Sequence, residues 1–372
     1  MKEQLTVRQI VLLFLFISIT PILTMIPNIV AYIGGDSGYI SILYSFVLLM
    51  IFAGFLINIL GTFPRKSLFE IIEEIAGTFI AKVFALLYGI WAIMVVNLEI
   101  NQYTVMLQST LLPTIKSEVL LLILFFIVGY MIIKGYKTLF RFAELSYLII
   151  IFFLGILALF AIPTMELNNL VPVTETNLYD NLWGIQYVCG IGGNIMLILF
   201  FAHRITKSNS MATIRSKLYI GAGSFSLIAF LATVICIGNH GGTLTSKFAY
   251  PIFQTVKSIT ILKTFERFDS FITLVCIFSD IVTIGIFLFI FDECFQKVFS
   301  CKTWVPITIG VLFILCCYVG LRNITQFRLE EFYYDKMVYI NLIFQFVLPL
   351  LLGVISLGKS GAKKDKSISN KE

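Results

Sequence analysis

The chain has 372 residues, of which 59% are hydrophobic and only 13% charged, with a formal net charge of +6. That composition excludes a soluble domain and defines an integral membrane protein. No polar stretch is long enough to fold as a separate lobe, and the positive balance follows membrane topology rather than nucleic-acid binding.

Ten apolar runs have the length of membrane spans, at about 10–33, 38–61, 83–108, 119–134, 142–163, 183–202, 217–238, 269–291, 303–320 and 338–357. The runs are continuous rather than alternating, so helices are expected and a β-barrel is not. The N-terminal run is too long for the core of a cleavable leader, and no small-residue cleavage site follows it.

The first run carries Thr20-Pro21-Ile22-Leu23-Thr24-Met25-Ile26-Pro27. Both prolines lack a backbone donor and interrupt a helix. The sixth run carries Gly190-Ile191-Gly192-Gly193-Asn194, which weakens a helix by conformational entropy. Interrupted spans at matching places in two halves point to a binding site near mid-bilayer. Unwound backbone at Thr20–Thr24 and Gly190–Asn194 offers amides to an anionic group and carbonyls to a cation. A zwitterionic amino acid matches both.

Positive charge sets orientation. With the N-terminus in the cytoplasm, most of the 27 lysines and arginines fall on the inner side, among them Arg8, Arg65, Lys66, Lys134, Lys137, Arg204 and Lys297. Both termini are then cytoplasmic. The outer loop from Thr164 to Asn181 holds Glu166, Glu175 and Asp180 but no lysine or arginine. It divides the chain into spans one to five (1–163), an acidic connector (164–181), spans six to ten (182–357) and a basic tail (358–372). Five spans on each side force opposite orientations, which is a five-plus-five inverted repeat. The expected fold is therefore an all-α integral membrane protein of ten transmembrane helices, with broken first and sixth helices.

Two loops read as structured. Ser67-Leu68-Phe69-Glu70 fits a capping box that opens an amphipathic helix with Leu68, Ile71, Ile72 and Ile75 on one face. Pro251 opens a second such stretch, with Phe253, Val256 and Thr260 at helical spacing.

Acidic groups inside apolar runs are costly and face a cavity or a partner. Glu99 lies in the third run beside Asn97, Asn101 and Gln102, and Trp91, Val95, Glu99 and Gln102 share one helical face. Either an interhelical hydrogen-bonding cluster or the wall of a cavity or ion path fits this pattern. Asp280 lies near the middle of the eighth run, on a stripe with Thr283 and Phe287. Asp292 and Glu293 fall at its inner end, where headgroup water is expected, and Arg141 with Glu144 reads as a local ion pair. The seven cysteines lack zinc-like spacing, and His203 and His240 are the only histidines. With no nucleophile–base set, metal-ligand spacing or phosphate loop, neither an enzyme nor a cofactor or metal is expected.

Several motifs carry a resemblance. They are Leu5-Thr6-Val7-Arg8-Gln9, Pro27, Phe63-Pro64-Arg65-Lys66-Ser67-Leu68-Phe69-Glu70, Glu99, Asn168-Asn169-Leu170-Val171-Pro172-Val173, and Phe265-Glu266-Arg267-Phe268-Asp269-Ser270-Phe271. In their order and spacing the chain resembles spore germination permeases, the B subunits of nutrient germinant receptors, in the amino acid–polyamine–organocation transporter superfamily. The resemblance implies the five-plus-five inverted fold, the spore inner membrane, and a complex with A and C subunits. It also implies a small nutrient ligand, often an amino acid, in a pocket of Thr20, Ile22, Trp91, Val95, Ile191, Gly192, Thr283 and Phe287. The interrupted backbone adds Thr24 and Asn194, and Glu99 and Asp280 are the ion or proton candidates. This chain departs from the family pattern at Thr20-Pro21-Ile22, where a Gly-x-Gly is common, and at Asn194 and Cys276, where glutamate and tryptophan are common. A cation- or proton-coupled amino acid or amine permease is the alternative reading, and no nucleic-acid partner is expected.

Overall fold

A computed structural model describes residues 4–170, 178–206, 209–258, 269–299, 312, 315–316 and 336–355. Most of the run at 303–320, the tail from 358, Val171–Val173 and Phe265–Phe268 lie outside the described residues. Within them, nine segments are long and apolar enough to cross a membrane. The chain is an all-α integral membrane protein.

The first span comprises α1 (Val7–Ile17), α2 (Ile19–Thr24) and α3 (Ile26–Gly34). Thr6 opens α1 through a capping box with Gln9, satisfying two of the first-turn amides. Pro21 has no N–H for the carbonyl of Ile17, and Pro27 has none for that of Leu23. The breaks at Ser18 (φ −85°, ψ −9°) and Met25 (φ −109°, ψ −48°) follow. Both residues stay in the right-handed region, so the interruptions are kinks rather than the expected unwound loop.

Next come α4 (Tyr39–Thr62), α5 (Leu68–Ala76), α6 (Thr78–Thr110), α7 (Ser117–Lys134) and α8 (Tyr136–Ala161). The capping box of α5 forms as the sequence pattern predicts: Ser67 N–H donates to Glu70 Oε2 at 2.7 Å, and Leu68, Phe69, Ile71 and Ile72 are buried.

The sixth span begins as α9 (Leu178–Gly192), tightens to a 3-10 turn over Gly193–Leu197, and resumes as α10 (Ile198–Phe201). Poorer hydrogen-bond geometry in a 3-10 turn marks a locally weak point in a helix. Then follow α11 (Met211–Thr245), α12 (Pro251–Ser258), α13 (Asp269–Phe299) and α14 (Val338–Leu342), which continues through a π-turn at Ile343–Val347. Gly241 in α11 sits at φ 71°, a conformation that requires glycine. That kink lets the amide of Gly242 donate to Asp36 at 2.5 Å.

Burial ranks the spans. The apolar windows of the first, sixth and eighth spans are each 78% buried, against 28% for α7 and 22% for α8. The interrupted spans and α13 therefore form the centre, while α7 and α8 present Leu122, Phe126, Ile133, Leu148 and Phe152 outward. Such an exposed apolar belt is what lipid requires. The most extensive helix pairs are α6 with α13 and α4 with α11.

Candidate functional site

Polar groups converge where α2, α6 and α13 meet. Thr20 sits two residues past the first kink and is 1% exposed. Its hydroxyl donates to the carbonyl of Cys276 at 3.2 Å, and its amide donates to Ser279 Oγ at 3.4 Å. Ser279 in turn donates to the carbonyl of Phe16 at 2.8 Å. Thr24 donates to the carbonyl of Thr20 at 2.7 Å and accepts from Gln102 Nε2 at 3.3 Å. Thr283 donates to the carbonyl of Ser279 at 2.8 Å.

Asp280 lies in the middle of this network at 0% exposure. Neither carboxyl oxygen has a hydrogen-bond partner among the described residues. Glu99, half-buried on α6, is within electrostatic reach of it. Asn101 Nδ2 donates to both oxygens of Asn97, at 2.7 Å to the carbonyl and 2.8 Å to Oδ1, so these two amides serve α6 itself. A buried carboxyl without a partner is expensive to hold, which makes this junction the strongest candidate for a ligand-facing position.

Trp91 and Phe287 belong to a second, aromatic group, which the last span links to Asn194. Trp91 stacks on Phe344 with centroids 5.7 Å apart and meets Phe287 edge-on at 5.2 Å. The indole N–H donates to Asn341 Oδ1 at 2.9 Å, and Asn341 Nδ2 donates to the carbonyl of Gly190 at 3.5 Å. Gln345 Nε2 donates to Asn194 Oδ1 at 2.8 Å. Amides of the last span thus seal the glycine-rich stretch of the sixth. Val95, Ile22 and Ile191 lie in the buried apolar core.

Gly192 points elsewhere. A Cβ there would lie 2.8 Å from both Leu49 Cδ1 and Phe225 Cε1, so its open face meets α4 and α11. The structure brings together Thr20, Thr24, Glu99, Asp280 and Thr283, and separately Trp91, Phe287 and Asn194. It does not place Gly192 with either set. Asn341 and Gln345 escaped the sequence reading, although their four-residue spacing in an apolar run is a helical-face signal.

A groove of about 750 Å³ opens between α4, α9 and α14, lined by Phe52, Trp183, Cys189 and Phe346. None of the nominated residues lines it, and its walls are almost wholly apolar.

At the face carrying the N-terminus, Arg204 Nη2 donates to Glu293 Oε1 at 3.1 Å and stacks over the Tyr136 ring at 4.2 Å. Lys297 pairs with Glu73, and the amide of Leu5 donates to the carbonyl of Arg204 at 2.9 Å. Asp292 is 6% exposed and accepts from Gln296 at 2.8 Å. Asp292 is therefore withdrawn from headgroup water, while Glu293 stays 19% exposed and meets Arg204, which the turn ending the sixth span carries across to α13. Glu144 likewise meets Arg8 at 3.6 Å and Gln9 at 3.1 Å rather than forming the expected local pair with Arg141, because α1 packs on α8.

These features define a polytopic membrane protein with kinked central helices around a buried acidic junction. The chain belongs to the spore germination protein family, whose Spore_permease model matches residues 4–325. It is 20% identical to Spore germination protein KB of Bacillus subtilis (strain 168), over 98% of each chain. It is 23% identical to Spore germination protein YndE of the same organism, over 92% of this chain and 93% of that one. Putative spore germination protein YfkT, from the same organism, is 25% identical over 80% of this chain and 81% of its own length.

Proposed function

We propose that this chain is the membrane subunit of a nutrient germinant receptor. It senses a small nutrient at the junction of α2, α6 and α13 and passes the signal to A and C subunits in the spore inner membrane. Both termini face the cytoplasm, and the spans form two inverted sets of five. Family membership supports the setting. The observation that carries the site is Asp280, buried with both oxygens unpartnered beside the kinked first span.

The kinks supply a means of response. α2 is six residues long and held between single-residue breaks, so few main-chain bonds resist its rotation. A nutrient that fits one setting of α2 against α13 better than another shifts the balance between them, by no more than its difference in affinity. The hydrogen bonds of Thr20 to Cys276 and Ser279 are the contacts such a shift exchanges.

The test is germination of spores carrying Thr20→Val, which removes the hydroxyl while keeping the side-chain shape, with the complex quantified by immunoblot. Normal abundance with loss of response to one nutrient is expected. Normal abundance with an unchanged response to every nutrient would remove the junction from sensing.

A further inference from the structure

We propose that the groove between α4, α9 and α14 is a lipid site, in which one acyl chain of a bilayer phospholipid lies with its ester beside Gln186. The site goes beyond nutrient sensing and uses none of the residues at the junction of α2, α6 and α13.

The lining selects the occupant. No charged side chain contributes to it, and neither does any glycine, alanine, serine or threonine. Helices that associate within a bilayer rely on such small residues for close approach. Here Phe52, Phe55, Trp183 and Phe346 stand among branched aliphatic side chains, so a partner helix or a second copy of this chain finds no close-approach face. A flexible hydrocarbon tail can follow such an uneven wall. The rim residues Ile51, Val347 and Val354 are each about half exposed, so the groove opens toward the bilayer. Along α14 the lining runs from Leu342 to Val354, about 18 Å at 1.5 Å per residue. One leaflet of a hydrocarbon core is about 15 Å deep, so the slot has the length of one tail.

One polar group breaks the apolar pattern and marks where the tail begins. Gln186 is half-buried and is the lining's single amide, and its side chain forms no hydrogen bond among the described residues. An amide turned toward hydrocarbon is costly unless its hydrogens are accepted. Trp183 lies one turn earlier on the same helical face and is 54% exposed. Tryptophan favours the headgroup level of a membrane. Gln186 then sits about 4.5 Å deeper, at the level of the esters that join tails to headgroups. An ester carbonyl there accepts from the Gln186 amide, and the tail continues past Cys189 toward Val354.

The bound tail also bears on the break in the sixth span. Phe346 lines the groove and packs on Phe52 with ring centroids 4.3 Å apart. On its other side a Cβ at Gly193 would lie 2.5 Å from Phe346 Cε2. The ring therefore stands between the groove and the 3-10 turn of Gly193–Leu197. A tail in the groove holds Phe346 against that turn and steadies it.

The experiment is native mass spectrometry of the purified full-length chain, titrated with a diacyl phosphatidylethanolamine. One lipid should bind about tenfold more tightly than those that follow. Val347→Trp and Ile51→Trp fill the groove from its rim, where the added ring meets bilayer rather than core. Each should weaken the first lipid about tenfold and leave the later ones unchanged. Leu148→Trp, in the exposed belt of α8, should alter neither. A dialkyl ether analogue, which lacks the carbonyl, should bind wild type more weakly than the ester, and Gln186→Leu should erase that difference. Hydrogen exchange over Gly193–Leu197 should slow when the first lipid is bound. No lipid distinct from the rest, or a first lipid indifferent to both groove-filling changes, would overturn the site. So would a dimer that Val347→Trp dissolves, which seats a second copy there, or loss of the first lipid on assembly with partner subunits, which seats a partner helix. Equal binding of ester and ether would overturn the role of Gln186, and unchanged exchange with lipid bound would overturn the coupling to the break.

Discussion

Ser279 reaches across from α13 to donate its hydroxyl proton to the carbonyl of Phe16 at 2.8 Å. The carbonyl lies in the last turn of α1, one residue before the helix ends. This bond couples the central acidic helix to the kink in the first span. Ser279 Oγ also accepts from the amide of Thr20 at 3.4 Å, so one hydroxyl holds both sides of the break. Ser279→Ala should strand a buried carbonyl and an amide at once. The expected cost is about 1–3 kcal/mol, read as a lowered midpoint in thermal unfolding of the purified chain. An unchanged midpoint would mean that α1 and α2 are held by apolar packing alone.

Gly192 gives a second, sharper contrast. Its would-be Cβ meets Leu49 and Phe225 at 2.8 Å, whereas a Cβ at Gly190 finds its nearest neighbour, Val338 Cγ1, at 3.6 Å. Gly192→Ala should therefore overpack the contact with α4 and α11 and cost about 1–3 kcal/mol. Gly190→Ala should be neutral or slightly stabilising, since alanine favours the helix. Equal abundance of the two variants in membranes would contradict this packing.

Arg204 and Glu293 form the latch at the face carrying the N-terminus. Their side chains are 26% and 19% exposed, and His203 Nε2 lies 3.6 Å from the same carboxylate oxygen. Removing the guanidinium leaves a mostly buried carboxylate without its cation. Arg204→Ala should cost about 3 kcal/mol, and removing both partners should cost less than the sum of the single changes. Strictly additive effects in unfolding experiments would show that the pair is a passive neighbour contact.

Asn341 ties the last span to the aromatic group. Its side-chain oxygen accepts the indole N–H of Trp91, that side chain's one polar hydrogen, at 2.9 Å, inside an environment where both residues are buried. Asn341→Leu should leave the indole N–H unsatisfied and free the carbonyl of Gly190, lowering stability by about 1–3 kcal/mol. Retained stability would indicate that the ring stack with Phe344 positions Trp91 by itself.

The legible part of this chain was the part governed by cost. Asp280 and Glu99 stood out because a carboxyl in an apolar run must meet something. Pro21 and Pro27 marked the kinks because a missing amide cannot be supplied by any tertiary contact. The Ser67–Glu70 capping box was equally local, and it formed as read. What stayed hidden depended on phase and distance. Gly192 closes α9, so helical phase fixes its direction but not which neighbours stand there. That its open face meets Leu49 of α4 and Phe225 of α11 is a matter of tertiary packing that no local pattern carries. Arg204 and Glu293 lie 89 residues apart, and nothing in either run announces its partner. Asn341 and Gln345 were readable as a helical pair of amides, but their acceptors, the Gly190 carbonyl and Asn194 Oδ1, lie 151 residues away on the sixth span and no local pattern names them.

The central claim is that a nutrient binds at the junction around Asp280. The most direct measurement is equilibrium binding of isotope-labelled nutrients to membranes holding the assembled complex, wild type against Asp280→Asn at matched abundance. Saturable binding of one nutrient to wild type, lost in Asp280→Asn, is the predicted result. Equal saturable binding to both, or none to an assembled wild-type complex, would contradict it.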